Sequence, residues 1–551
     1  MNYKEKYEYW INSNIVDSQT KAELSNLAEE EIEDRFYRDL EFGTGGLRGV
    51  MAAGSNRLNL YTVRKATQGL AFELLDSTCK EKSVVIAYDS RNLSSEFANE
   101  AAKVLCANGI KTYLFDSLRP TPELSFAVRY LGCARGIVIT ASHNPKEYNG
   151  YKVYGEDGGQ IPPETANKII NYINDIDIFS DVKLNGKLEP IMISMDVDEA
   201  YLNAVHKQSF GVKIPDDFKV VYTPIHGSGN IPVRRILNKI GVKDLFVVPE
   251  QELPNGDFPT VVSPNPENAE AFTIAIKYAK EIKADLVFGT DPDSDRIGVV
   301  VKNSDNEYVV LNGNQTGVLL CEYILRKCKE NNTLPENATV IKTIVTTDMI
   351  KAIADNYGVK VVDVLTGFKY IGEQIKIFEK ENDENRFVFG LEESYGYLRG
   401  IYARDKDAVV ASMLIAEMAA EYKLDGKTLY DALISIYEQY GYYQEHLETK
   451  TLEGIEGVNK IQKLMTYFRT NDLLFSVQEK IDYKIGINGL PKSDVLKFIV
   501  DDGWIAVRPS GTEPKIKFYF GVVADCNTNA EKRIEFLKKS ILDLCDKILD
   551  E

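Results

Sequence analysis

One pattern is written three times in this chain, and it restricts the fold more than any other feature. SVVIAYDSRNLSSEFANEAAKVLCANGIKTYLFDS runs as an apolar strand, a polar turn, a segment with helical spacing, Gly109-Ile110-Lys111 and a second apolar strand. FKVVYTPIHGSGNIPVRRILNKIGVKDLFVVPE repeats that order around Gly241-Val242-Lys243, and ATVIKTIVTTDMIKAIADNYGVKVVDVLTG repeats it around Gly358-Val359-Lys360. Each glycine falls where a helix stops and the chain reverses, a position that favours positive φ. The strands are near-continuous apolar runs, as expected of parallel strands covered by helices on both faces. Three related α/β domains follow, the alternative being one large doubly wound sheet.

After about residue 440 the pattern changes. GWIAVRPSGTEPKIKFYFGV reads as two strands around a polar loop, and NAEKRIEFLKKSILDLCDKIL as an amphipathic helix. The last domain is therefore expected to be α+β with an antiparallel sheet. The expected boundaries are 1–208, 209–310, 311–440 and 441–551, with mixed, mostly parallel sheets in the first three domains. Residues 1 to 40 read as acidic helices that pack and carry no chemistry.

The balance of charge limits the partners. Lys plus Arg number 65 against 83 Asp plus Glu, a formal charge of -18. Nucleic acid is not an expected partner of such a chain, and an anionic ligand must meet a local positive site. The seven cysteines are odd in number and form no C-x-x-C pair, which predicts reduced thiols in a cytoplasmic protein. Cys321 and Cys328 read as core positions on one helix. MNYKEKYEYW has no apolar stretch of the signal-peptide kind, and no run approaches the ~18 apolar residues of a membrane span.

Four polar loops carry the chemistry. In ITASHNPKEYNGYKVYG, a short apolar strand delivers Ser142 to its C-terminal end, where ligands of parallel sheets collect. The glycines of a hydrolase elbow are absent. Asn149-Gly150 is a tight-turn signal expected to fold the next strand back and bring Lys152 near the serine. A serine beside an ammonium group suits a nucleophile with an anionic partner; a capping turn is the other reading. In ADLVFGTDPDSDRIGVVVK, Asp291, Asp293 and Asp295 stand between two strands. Three carboxylates so close repel one another unless a cation lies among them, and all-oxygen ligation suits Mg²⁺ or Ca²⁺. The loop is not an EF-hand, because Arg296 and Lys302 stand where Gly and Glu are needed. A metal that prefers six ligands keeps room for phosphate oxygens, which implies phosphoryl chemistry.

The third loop runs from Arg508 to Lys515 with Ser510, Gly511 and Thr512, a set suited to gripping a phosphate; a surface hairpin is the other reading. The fourth, FGLEESYGYLRG, offers Glu392, Glu393 and Ser394 to sugar hydroxyls, although the first turn of a helix has the same look. Arg48 in a glycine-rich turn and Lys369 after Thr366-Gly367 are two further cations. His143 adjoins the candidate nucleophile, and His226 in PIHGSG reads as structural.

TASHNP, GTDPDSDR, LEES and RPSGTEPK, in this order and over nearly the whole chain, resemble the α-D-phosphohexomutase superfamily, which includes phosphoglucomutase and phosphomannomutase. The resemblance implies four domains, three of them related, around a central cleft. It implies a phosphoserine at Ser142, with Mg²⁺ held by Asp291, Asp293, Asp295 and a phosphoserine oxygen. Arg48, His143, Lys152, Arg296 and Lys369 match positions around the transferring phosphate, the lysines and the histidine being candidates for proton transfer. Gly367, Glu392 and Ser394 match contacts on the sugar side, and Arg508, Ser510, Gly511 and Thr512 the grip on the other phosphate. Sugar monophosphates are the implied substrates, with a sugar bisphosphate as intermediate and activator. Glucose 1-phosphate and glucose 6-phosphate are the implied pair, because Gly396 stands where members that also use mannose have a histidine. Pentose and mannose phosphates are alternatives, as are a phosphatase and a non-catalytic phosphosugar-binding protein.

Overall fold

The computed structural model describes every residue except 44, 453, 488, 511–514 and 551, together with the side chains of 454 and 455. Met1–Leu311, Ile371–Glu384 and Tyr395–Thr428 form one compact unit; Asn312–Tyr370, Asn385–Ser394 and Leu429–Glu551 form another.

The first unit holds two sheets. In the first, the order is Gly46–Val50, Tyr148–Gly155, Arg135–Ile139, Ser83–Tyr88, Lys111–Phe115, Ile191–Ile193. Ser83–Tyr88 is parallel to both its neighbours, whereas Tyr148–Gly155 runs antiparallel to Arg135–Ile139 and to Gly46–Val50. The second sheet repeats the design: Lys219–Thr223 is parallel to Asp244–Val247 and Leu286–Thr290, and Ile297–Lys302 returns antiparallel beside Leu286–Thr290. Val84, Val85, Ile86 and Ala87 are all fully buried, which is why the first repeat shows no alternation.

In the second unit, Thr339–Thr343 is parallel to Lys360–Val364 and to Phe387–Glu392. A separate five-stranded sheet follows, ordered Tyr442–Thr451, Lys515–Ala524, Gly503–Pro509, Leu496–Val500, Glu479–Asp482 and antiparallel throughout. The C-terminal helix Asn527–Asp550 buries Ile534, Leu537, Ile541 and Leu544 at helical spacing against it. Separate sheets, and not one doubly wound sheet, carry the three repeats.

Each repeat is a strand, a helix and a parallel strand. Its glycine is left-handed in every case, with φ of 77° at Gly109, 97° at Gly241 and 69° at Gly358. The acidic N-terminal helices pack as expected: Trp10 lies edge-on to Phe36, Tyr61 and Phe179, with ring centroids 5.7, 5.3 and 5.4 Å away. The seven cysteines are free thiols, Cys321 and Cys328 being buried on helix Gly313–Glu330. Among the described residues no helix is long and apolar enough to cross a membrane.

One expectation fails. Asn149 and Gly150 make no turn but lie inside strand Tyr148–Gly155, and the chain reverses earlier, over residues 140–147. Asn149 is fully buried and donates from Nδ2 to the Asn92 carbonyl (3.0 Å) and to Ser94 Oγ (2.9 Å). Gly150 meets a different need: a Cβ there would stand 2.4 Å from the Thr140 carbonyl oxygen. Close strand approach, not positive φ, selects this glycine.

Candidate active site

Strand Arg135–Ile139 ends in a loop whose pivot is Ser142, a non-glycine residue at φ 51°. Such a conformation costs on the order of 1 kcal/mol and persists only where the surroundings over-determine it. Here they do. Thr140 Oγ1 accepts from the Ser142 N–H (2.8 Å) and donates to Asp89 (2.6 Å). The buried Arg91 guanidinium donates to four loop carbonyls, those of Ser142, Asn144, Pro145 and Tyr148. It lies 5.1 Å from the Phe258 ring centre. The hydroxyl of Ser142 is thereby fixed, donating to Asp291 Oδ2 at 2.7 Å with His143 Nδ1 3.1 Å away.

The turn between Leu286–Thr290 and Ile297–Lys302 brings the three aspartates together, with one oxygen from each within 4.8 Å of the others. Asp291 Oδ1 accepts from the N–H groups of Asp295 (3.1 Å) and Arg296 (3.0 Å). Asp293 Oδ2 accepts from Lys152 Nζ (3.0 Å) and Thr121 Oγ1 (2.8 Å). Asp293 Oδ1 and Asp295 Oδ1 are buried without a hydrogen-bond partner. Buried carboxylate oxygens that no donor satisfies are what a hard cation requires, so these residues fit a divalent metal.

The electrostatics agree. Burial and the carboxylates of Asp293 and Asp295 push Asp291 far above the usual carboxylate range. Burial acts against Asp293 as well, yet Lys152 holds it below that range. Burial, then the Arg296 and Arg48 guanidiniums, drive His143 well below the usual histidine range, leaving a neutral imidazole with a lone pair to offer.

Of the residues expected from sequence, Ser142, His143, Lys152, Arg48, Arg296 and the three aspartates all belong to the first unit. Arg48, on strand Gly46–Val50, donates to Asn144 Oδ1 (3.2 Å), and Arg296 is ion-paired with Glu267. Lys152 reaches the aspartate cluster from strand Tyr148–Gly155, its Nζ 3.0 Å from Asp293 Oδ2. His226 is structural: its Nδ1 lies 3.1 Å from the Leu253 carbonyl oxygen and its Nε2 2.9 Å from Thr260 Oγ1.

Three contributors escape a reading of the sequence. Thr121 sits at the start of helix Thr121–Tyr130. Lys406 Nζ lies 3.0 Å from Asp295 Oδ2 and 3.3 Å from Asp405 Oδ1. Asp405 is in turn bonded by Tyr154 Oη at 2.7 Å. A signal for the last pair does exist in ARDKDAVVASM, where four charged residues precede a helix with almost no polar face.

The remaining expected residues belong to the second unit. Gly367 has φ 117° with nothing within 4 Å of an added Cβ, so conformation alone demands glycine. Lys369 lies in the first turn of helix Phe368–Lys380. Glu392 ends strand Phe387–Glu392 and is buried; Ser394 is half-buried. Between them Glu393 accepts from Thr343 Oγ1 (2.8 Å) and Thr346 Oγ1 (3.2 Å). Arg508 is half-buried on Gly503–Pro509, and the hairpin closes through the Ser510 N–H on the Lys515 carbonyl at 2.7 Å. Gly511 and Thr512 lie outside the described residues.

Comparison with known proteins points one way. Models of the phosphoglucomutase/phosphomannomutase family match in order: alpha/beta/alpha domain I over residues 39–178, domain II over 199–305, domain III over 312–440 and the C-terminal domain over 448–531. A phosphoglucomutase of Staphylococcus saprophyticus is 40% identical, the match covering 93% of this chain and 96% of that protein. One of Staphylococcus aureus is 39% identical over 93% of this chain and 94% of its own. Among solved structures, a phosphoglucomutase/phosphomannomutase family protein from Burkholderia thailandensis has a TM-score of 0.69 at 20% identity, covering 92% of this chain and 97% of that one. Parafusin from Paramecium, in an open form, also scores 0.69, at 18% identity over 93% and 96% of the two chains. At such identities these two structures speak for the fold alone.

Proposed function

The chain belongs to the phosphoglucomutase/phosphomannomutase family, and from that premise we propose that it interconverts glucose 1-phosphate and glucose 6-phosphate through a phosphorylated Ser142. The observation that carries this reading is the fixed hydroxyl of Ser142, held at positive φ and bonded to one of three clustered aspartates. A hydrolytic serine needs a base and an oxyanion hole, whereas a serine that stores a phosphoryl group needs a nearby metal and cations.

The residues then divide the work. In the forward step the phosphoryl–oxygen bond to Ser142 breaks as one forms to a free hydroxyl of the sugar monophosphate, and that hydroxyl's proton passes to a base. Lys152, Lys369 and neutral His143 are the candidates. Arg48, Arg296 and Lys152 balance the charge spread over the phosphoryl oxygens. The resulting bisphosphate returns its other phosphate to Ser142 and also primes unphosphorylated enzyme.

Asp291, Asp293 and Asp295, with a phosphoserine oxygen, would hold Mg²⁺, which when bound neutralises phosphoryl charge. Arg508, Ser510, Gly511 and Thr512 anchor the non-reacting phosphate, while Gly367, Glu392 and Ser394 orient the sugar. Domains 1–208, 209–310, 311–440 and 441–551 are the proposed modules, in a cytoplasmic enzyme.

A coupled assay for glucose 6-phosphate from glucose 1-phosphate, with released phosphate measured in parallel, tests the reading. Isomer formation without phosphate release is the expected result; stoichiometric phosphate release would make the protein a phosphatase, and neither signal would make it a binding protein.

A further inference from the structure

In the second unit the third and fourth sheets share one core. Ile344, Val345 and Leu365, from the ends of the parallel strands, pack with Tyr483, Val495, Trp504, Ala506 and Tyr519 of the antiparallel sheet. Across this apolar seam runs one polar bond. Lys497, 4% exposed on strand Leu496–Val500, donates from Nζ to the Ile344 carbonyl at 2.6 Å. Its ammonium lies 4.4 Å from the Trp504 ring centre. A buried lysine in a seam that apolar residues could fill has a cost, and burial with the nearby Lys342 lowers its pKa to about 7.

Both ends of that bond lead to ligand-gripping loops. Lys497 is paired with Ala506, two residues before Arg508 on the same strand. Ile344 begins the segment that continues through Thr346, and Thr343 and Thr346 together hold the Glu393 carboxylate. Buried Lys342 stiffens the segment, donating to the carbonyls of Thr343 (3.3 Å) and Thr346 (3.0 Å) and ion-paired with Asp348 and Asp363. A continuous path of hydrogen bonds and strand pairing thus joins Arg508 to the loop Glu392–Ser394.

We infer that Lys497 is a positioning residue: it sets the spacing between Arg508 and the loop Glu392–Ser394, and thereby the affinity for a sugar monophosphate as a whole. The inference rests on the proposed function, which makes both loops contacts of one substrate. A ligand that spans both loops is sensitive to their spacing; one that occupies the phosphate loop alone is not.

The experiment uses the full chain with Lys497→Met, which keeps side-chain length and apolar bulk but removes the donor, and Thr346→Val, which cuts the same path at its other end. Dissociation constants for glucose 1-phosphate and for inorganic phosphate are measured by calorimetry in chelator, and turnover is measured separately with Mg²⁺. Both variants are expected to bind glucose 1-phosphate about tenfold more weakly, with phosphate affinity changed less than about twofold. Unchanged glucose 1-phosphate binding in either variant would overturn the inference. So would parallel weakening of both ligands, or a lower active fraction with unchanged affinity, since either marks general loosening. A wild-type protein that binds glucose 1-phosphate without turning it over removes the mutase reading and leaves this split to be read; one that does not bind it overturns both.

Discussion

The serine and aspartate cluster of the first unit and the loops of the second unit proposed to hold sugar and phosphate are built on opposite plans. Ser142, Asp291, Asp293 and Asp295 are all buried, and each is held by hydrogen bonds or ion pairs to groups on other strands and loops. Arg508 and Ser394 are half-buried at or just beyond the ends of strands. Groups that change bonds require fixed geometry, because a small misplacement costs orders of magnitude in rate. Groups that hold a ligand which enters, turns and leaves require access. Substitutions in the cluster should therefore strike rate and metal binding, and those in the loops should strike affinity.

The strongest way to break this contrast is Asp291→Asn combined with Asp293→Asn. Turnover is expected to fall by at least about 10³-fold, since an assembled catalytic unit fails as a whole, and Mg²⁺ titration should show no saturable binding. Retained activity in chelator would remove the metal from the mechanism. Arg508→Ala should raise KM for glucose 1-phosphate about 10- to 100-fold with a much smaller change in kcat, the loss of a charge-assisted anchor being worth about 1.5–3 kcal/mol. A fall in kcat at constant KM would group Arg508 with the cluster.

Lys406→Met sharpens the boundary. Lys406 is ion-paired with Asp295 and so competes with a cation for that carboxylate; its loss should strengthen Mg²⁺ binding about tenfold, and a weakened affinity would make Lys406 a support of the metal site instead. The smallest effect concerns stability. Burial pushes Glu445 up to about 7 from an ordinary 4.5. The folded chain then retains a proton that the unfolded chain releases, so stability falls as pH rises from 4.5 to about 7 and stays reduced above it. Glu445→Gln should raise the melting midpoint by a few degrees at pH 8 and by clearly less at pH 5. An equal rise at both values would locate the cause in packing.

What could be read from the sequence follows the same division. Gly109, Gly241 and Gly358 mark the repeats because a positive φ leaves a local trace, and Asp291, Asp293 and Asp295 mark a candidate cation site because their crowding is local too. Asn149-Gly150 has the composition of a hairpin turn, but buried hydrogen bonds and a close backbone draw it into the strand that carries Lys152 to Asp293. Thr121, Lys406 and Asp405 escape such a reading because their partners Asp293, Asp295 and Tyr154 lie far along the chain, and the charged run ARDKD marks the last two without saying what they meet. His226 was read as structural, and the ring's two hydrogen-bond partners agree.

The central claim is that Ser142 carries the phosphoryl group between turnovers, and mass spectrometry of the protein after exposure to glucose 1,6-bisphosphate tests it most directly. A single phosphate on Ser142, discharged by glucose 6-phosphate and absent from Ser142→Ala, is the predicted result. A Ser142→Ala protein that interconverts the isomers at the wild-type rate, or a phosphate found on another residue, would contradict it.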